Sequence, residues 1–301
     1  MSDVDNYIND MLASGSISAG TAVSYKTDLD AFCSYLEHRK KTLQRAAKSD
    51  IMRYIDLLRD SGLSDATVAR RLSAIKSLYG YLHSEKNYPT DVAAACKSGK
   101  YFRKSPDYLT RAEMDKLLAA PDAKDITGLR DRTILELLYA SGIKASELIA
   151  ADLSSVNTQL GYINVKGAKA ERVVPVHDTA CSYIRAYLKM SRPLLVRDES
   201  ETALFVNIDG ARLTRQGLWK ILKKYANAAG IKKDVTVQTM RHSFAAHLIE
   251  NGADLHSVQL LLGHSSFSTT QSYSYNLNIN KQLEVYKKYH PEAASKKKRK
   301  R

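Results

Sequence analysis

Apolar side chains recur along the first hundred residues at the spacing of one helix face. Ile51, Tyr54, Ile55 and Leu58 fall at i, i+3, i+4 and i+7, behind a candidate N-cap at Ser49. Val68, Leu72, Ile75, Leu78, Tyr79 and Leu82 continue this period behind a candidate cap at Ser64. Leu29, Phe32, Tyr35 and Leu36 mark a further helix, over roughly residues 19–37. The pattern predicts three or four amphipathic helices in a small bundle. Across residues 95–107 the periodicity stops, and a glycine, a proline and the cations Lys97, Lys100, Arg103 and Lys104 take its place. This stretch reads as an interdomain linker. Its cations either cross a phosphate backbone or are simply solvated.

Thr110-Arg-Ala-Glu113 has the form of a capping box before an apolar run. A long helix containing Ile134, Leu137 and Leu138 is expected to stop near Ser141-Gly142. Residues 162–165 and 172–176 read as two short strands of a hairpin, with Lys166-Gly-Ala-Lys169 as the turn and residues 204–206 as a third short strand. Helices are expected over about 214–229, 238–251 and 255–262, and from 269 onward, with Gly252 and Gly263 as stop signals. Ser268-Thr-Thr-Gln271 repeats the capping-box form, which places Tyr273 on or beside a helix. The expected fold class is mainly α with a small antiparallel β-sheet. The expected boundaries are 1–97 for a helical domain, 98–106 for the linker, 107–290 for an α+β domain and 291–301 for a basic tail.

A length of 301 residues agrees with two domains. At 44% hydrophobic and 26% charged, the composition is that of an ordinary globular protein. No apolar run approaches the ~18 residues of a spanning helix. The polar, acidic start predicts no secretory leader. Cys33, Cys96 and Cys181 are odd in number and far apart, with no CxxC pair, so neither a disulfide framework nor a structural zinc site is expected, and the cytoplasm is the expected compartment. Charge is more informative. Of the formal net charge of +14, residues 1–100 contribute +2, residues 101–295 contribute +6, and residues 296–301, all Lys or Arg, contribute +6. This balance favours a polyanionic partner, nucleic acid ahead of an anionic membrane.

Several short matches carry no chemistry. The S-x-x-K form occurs at Ser141, Ser73 and Ser295, so it does not discriminate. His242 and His247 are five apart and do not share a helix face as HExxH ligands do. There is no G-x-G-x-x-G and no Walker A loop, so no nucleotide cofactor is expected. The informative residues lie between Lys144 and Tyr273. Gln238-Thr-Met-Arg-His-Ser-Phe-Ala-Ala-His247 is followed by Leu261-Leu-Gly-His-Ser-Ser-Phe-Ser-Thr-Thr-Gln-Ser-Tyr273. Upstream stand Ala140-Ser-Gly-Ile-Lys-Ala-Ser-Glu-Leu148 and Val165-Lys-Gly-Ala-Lys-Ala-Glu-Arg172. In this order and spacing they resemble the tyrosine recombinases of the phage integrase family, Xer type. Residues 21–36 and 67–81 resemble the family's DNA-clamp helices, and residues 286–291 resemble the ending of its XerC branch.

The resemblance implies a two-domain DNA clamp that cuts and rejoins DNA through a 3′-phosphotyrosine and exchanges strands through a Holliday junction. Such chemistry needs an in-line phenolic nucleophile, cations and donors on the non-bridging oxygens, and an acid for the 5′-oxygen. It needs no cofactor and no metal. By resemblance Tyr273 is the nucleophile, with Tyr275 its nearest rival. Arg241 is the second family arginine, able to grip the phosphate with a bidentate fork. Lys166 is the general acid, with Lys169 competing for the role. His264 hydrogen-bonds the phosphate or assists proton traffic. Two positions depart from the family. Lys144 replaces the first arginine and loses its planar fork. Gln238 replaces a histidine and cannot move a proton at neutral pH. Two readings therefore stay open: an active site-specific recombinase, and a catalytically impaired DNA-binding relative. The implied partners are double-stranded DNA with a specific site and other recombinase protomers. These form a dimer on a site and a tetramer in synapsis, as one chain or with a second recombinase, and no membrane is involved. Residues 279–289 dock on a neighbouring protomer through Leu283 and Tyr286, or pack within the chain. The biological task is left open among chromosome-dimer resolution, integration and inversion.

Overall fold

The computed structural model describes residues 2–86, 88–97, 107–166, 171–263 and 286–291. It divides into two compact units, residues 1–104 and 105–301. In the first unit, α1 (Asp3–Ala13), α2 (Ala19–His38), α3 (Lys48–Asp60) and α4 (Asp65–Glu85) enclose one core. The periodic positions on α2, α3 and α4 are buried, apart from the half-buried Tyr35, because the helical repeat brings them onto one stripe. Ser64 caps α4 by accepting the Thr67 N–H. Ser49 does not cap α3. That helix starts at Lys48, and the Asp50 carboxylate reaches back to the Ala47 N–H at 2.9 Å while pairing with Lys41 at 2.6 Å. The Asp50 carboxylate thus supplies the N3 half of a capping box, satisfying the N-cap residue's own N–H, while Ala47 offers no side-chain acceptor in return. Helix α1 carries the same stripe in shorter form, with Val4, Tyr7 and Ile8 buried and Met11 half-buried at i, i+3, i+4 and i+7. Ala93 and Cys96 are buried in the same core, so the chain beyond α4 still packs on this unit. The expected linker over 98–106 lies outside the described residues.

In the second unit, α5 (Arg111–Ala119) opens on the expected capping box, with Thr110 and Glu113 satisfying each other's backbone N–H. Helix α6 (Ile126–Ser141) is buried along most of its length and ends at Gly142 in the left-handed region, φ 60°. After α7 (Ala145–Ala150) come β1 (Val156–Asn157), β2 (Tyr162–Lys166) and β3 (Glu171–Pro175), antiparallel in the order β1-β2-β3. The hairpin register pairs Val165 with Arg172 and Lys166 with Glu171. Helix α8 (Asp178–Ala186) continues through a π-helical turn, Tyr187–Ser191, into α9 (Arg192–Leu195). Then follow α10 (Arg215–Ala228), α11 (Val237–Glu250) and α12 (Leu255–Leu262). Helix α6 packs against α5, α8 and α11 at the centre of the core.

One further expectation needs correction, and one helix has no counterpart in the sequence pattern. The third strand is Val156–Asn157, whereas residues 204–206 form no ladder. They lie between isolated bridges, Asp152 to Ala203 and Val206 to Arg212, with backbone bonds to Ala151 and Leu213. Leu204, Phe205 and Val206 are fully buried. A short apolar run reports burial, and burial alone does not make a strand. Helix α8 escaped the periodicity because its buried face consists of Ala180, Cys181 and Ile184, two of them small.

Tyr286 and His290 are buried within this unit. Their rings stack 4.8 Å apart, and His290 also lies 5.0 Å from His177 and 5.1 Å from Tyr139. Tyr286 therefore packs within the chain, and Leu283 lies outside the described residues. Burial holds His177 well below the ordinary histidine range, at about 4. Its Nδ1 accepts the Ala180 N–H, which only the unprotonated nitrogen can do. A histidine neutral when folded and ready to charge when unfolded contributes stability above the unfolded pKa of about 6.5 and loses it as pH falls toward 4. Urea unfolding is expected to show about 2 kcal/mol less stability from this residue at pH 5 than at pH 7. His177→Asn retains a cap acceptor and removes the titration, so it should flatten that slope by the same amount. An unchanged slope would mean that His177 is not the group responsible.

Candidate active site

Arg241 sits in the middle of α11 and is almost wholly buried. Its Nη1 donates to the Gly142 carbonyl at 2.6 Å and its Nη2 to the Leu262 carbonyl at 2.5 Å. These carbonyls close α6 and α12, where helix geometry leaves acceptors without intrahelical donors. One guanidinium thus ties two helix ends together. Burial pulls its pKa down to about 10, which still leaves a full cation at neutral pH. The turn depends on glycine here: a Cβ on Gly142 would meet the Phe244 ring at 2.5 Å.

Lys144 follows two residues after Gly142, at the N-cap of α7, with its side chain exposed. Gln238 precedes Arg241 by one turn of α11 and is also exposed. Lys144 and Gln238 line one cleft of about 380 Å³ together with Arg215, Trp219 and Thr236. The structure therefore brings together the two departures from the family pattern, with Arg241 on the same helix as one of them. The Gln238 amide lies 3.1 Å from His242 Nε2, and its nitrogen can only donate, so that ring nitrogen accepts. Burial, with Arg241 nearby, lowers the His242 pKa and favours the neutral ring.

Lys166 ends β2 opposite Glu171, in the strand rather than in the turn. Its side chain is exposed and does not line the Lys144–Gln238 cleft. The rest of the turn, Lys169 included, lies outside the described residues, as do His264, Tyr273 and Tyr275. Of the six candidates, the structure places Lys144 and Gln238 on one cleft, Arg241 buried one turn along α11 from Gln238 and not among the cleft's lining, and Lys166 on the hairpin.

Two further residues of these motifs, Glu147 and Arg172, join this group. Glu147, buried on α7, accepts the Lys144 backbone N–H at 2.8 Å and both Nη groups of Arg172, at 2.6 and 2.9 Å. Burial works strongly against its ionisation, but the Arg172 bonds, the Lys144 N–H and the nearby positive charge outweigh it and hold the pKa below the usual range. The signal for Glu147 is its place three residues after the N-cap Lys144, the far half of a capping box. Nothing in the local sequence announces that Arg172 is its partner.

Residues 107–278 match the phage integrase family, and residues 4–86 match the phage integrase N-terminal SAM-like domain. The tyrosine recombinase XerD of Staphylococcus epidermidis is 39% identical over 292 residues, covering 96% of this chain and 99% of that protein. XerD of Oceanobacillus iheyensis is 39% identical over 295 residues, covering 96% and 98%. These relatives carry the XerD name, so the XerC-like ending at 286–291 places the chain within the Xer type and no more finely. Among solved structures, the post-cleavage complex of XerH on a palindromic difH substrate has a TM-score of 0.70 at 22% identity, covering 92% of this chain and 78% of that one. The Tn1549 transposon integrase in complex with circular-intermediate DNA has a TM-score of 0.69 at 15% identity, covering both chains fully. At these identities the structures share the fold.

Proposed function

The chain belongs to the phage integrase family of tyrosine recombinases, and from that premise we propose that it is a site-specific DNA recombinase. It cuts and rejoins double-stranded DNA through a 3′-phosphotyrosine. The observation that carries this reading is Arg241, a buried cation tied to two helix ends, one helical turn from Gln238, which lines a cleft with Lys144. A cation held in advance needs no reorganisation as charge shifts on the phosphoryl oxygens. In this reading the Tyr273 hydroxyl loses its proton to water and its oxygen attacks phosphorus in line, the P–O5′ bond breaks, and Lys166 gives the 5′-oxygen a proton. Arg241 and Lys144 carry the positive charge against the phosphate, Gln238 adds a donor, and His264 hydrogen-bonds the phosphate or takes part in the proton traffic. The protein works as a dimer on each DNA site and a tetramer in synapsis, and the bond energy kept in the phosphotyrosine passes to the exchanged strand. No helix among the described residues is long and apolar enough to cross a membrane, in keeping with action on chromosomal DNA in the cytoplasm.

The test begins with duplexes selected on the chain from random-sequence DNA. A selected duplex, nicked next to the cleavage position, should trap the chain as a covalent adduct because the short cut fragment diffuses away. Binding with no adduct on any selected duplex would favour the impaired DNA-binding relative. The same substrate tests the two departures. Arginine at 144 would restore a fork that grips two oxygens, and histidine at 238 would restore a proton carrier. Lys144→Arg combined with Gln238→His is expected to raise single-turnover cleavage at least about tenfold at equal DNA occupancy, which requires only ~1.4 kcal/mol. Unchanged or slower cleavage would show that the cleft works with lysine and glutamine as they stand.

A further inference from the structure

We propose that Arg172 is a positioning residue for the general acid, holding the Lys166 hairpin to the start of α7 and the end of α12. Three observations meet at its side chain. On β3, Arg172 faces Val165 and is one pair removed from Lys166–Glu171, the last described rung of the hairpin. Its guanidinium makes a two-pronged bond to Glu147, the same carboxylate that accepts the Lys144 N–H. It also packs closely on Gly263, where a Cβ would come within 2.8 Å of Nε and 2.9 Å of Cζ. Gly263 is the residue before His264, and its left-handed φ of 63° closes α12. The adjacent Leu262 carbonyl is the one that Arg241 holds. Through one side chain the hairpin is therefore joined to the backbone of Lys144, to the turn leading into His264, and to the helix end held by Arg241.

The planar, bidentate pairing fixes orientation as well as distance. A hairpin fixed only by its own short ladder would let Lys166 wander, and a proton donor misplaced by about 1 Å loses much of its effect. Arg172 acts through Lys166 and need not touch DNA. The inference rests on the reading of Lys166 as general acid, and the experiment separates the two.

Single-turnover cleavage is measured on a selected, nicked duplex with either oxygen or sulfur at the bridging 5′ position. A thiol, with a pKa near 8.5, departs as thiolate without a proton, so the sulfur substrate does not need the acid. Lys166→Ala and Arg172→Ala should each slow the oxygen substrate by about 100-fold or more and cleave the sulfur substrate within about tenfold of the parent chain. Arg172→Lys and Glu147→Gln preserve size and part of the pairing. They should show the same pattern in weaker form, and they carry the test if Arg172→Ala does not fold. Rescue of Lys166→Ala without rescue of the Arg172 and Glu147 variants would overturn the positioning role alone. Failure of sulfur to rescue Lys166→Ala would overturn the general-acid reading, and the proposal with it.

Discussion

Tyr273→Phe is expected to bind selected duplexes with the affinity of the parent chain and to form no covalent adduct. The substitution removes one phenolic oxygen and leaves the ring, so contacts to the DNA backbone lose at most a single hydrogen bond. The reaction loses its nucleophile, and no other group in the proposed site can form a 3′-phosphotyrosine. The drop should exceed what any supporting residue produces, down to the detection limit of a denaturing gel. Tyr275 is the control, since Tyr275→Phe should still form the adduct. An adduct that survives Tyr273→Phe and vanishes in Tyr275→Phe would move the nucleophile two residues along the chain.

Arg241→Ala should fail twice, and the two failures can be read separately. The first is in stability. The Gly142 and Leu262 carbonyls lose the donors that satisfy them in a buried setting. Each unmet buried acceptor costs about 1–3 kcal/mol, so the urea midpoint should fall by an amount equivalent to several kcal/mol. The second is in chemistry. Loss of one preorganised donor at a developing oxyanion costs about 10²–10³ in rate, and here the charge goes with it. Single-turnover cleavage at saturating chain should fall by at least that factor. Arg241→Lys keeps a cation but cannot span both carbonyls with a planar fork, so it should recover part of the rate and little of the stability. Full stability in Arg241→Ala would mean that the helix ends find other donors. Full cleavage would remove Arg241 from the site.

The two effects share a cause that differs in visibility. The role proposed for Arg241 toward phosphate rests on a motif, because the family pattern around it is local in sequence. Its role toward Gly142 and Leu262 was not legible there, since those carbonyls lie 99 and 21 residues away along the chain. Lys144 and Gln238 could be named one at a time for the same reason, but that they line one cleft with Arg215 and Trp219 came only from packing. The pairing of Glu147 with Arg172 spans 25 residues and joins a helix to a strand, so neither residue's local pattern contains it.

What the sequence determined by itself follows one rule. Features set by interactions within a few residues were legible: the stripes of α2, α3 and α4, the capping box at Thr110, the hairpin over 162–176, and the glycine stops at 142, 252 and 263. The charge excess also needed no coordinates, because net charge does not depend on fold. Tertiary structure decided everything that depends on a distant partner. It made Val156–Asn157 rather than residues 204–206 the third strand, because a strand exists only where another backbone ladders with it. It started α3 one residue before Ser49 and turned Asp50, which Lys41 also holds, back onto the Ala47 N–H. It seated Tyr286 and His290 on His177 and Tyr139, since burial of an aromatic segment depends on which surface receives it. Local free energies select elements from their own side chains, while the meeting of elements is selected by surface and polar groups that the chain brings together only on folding.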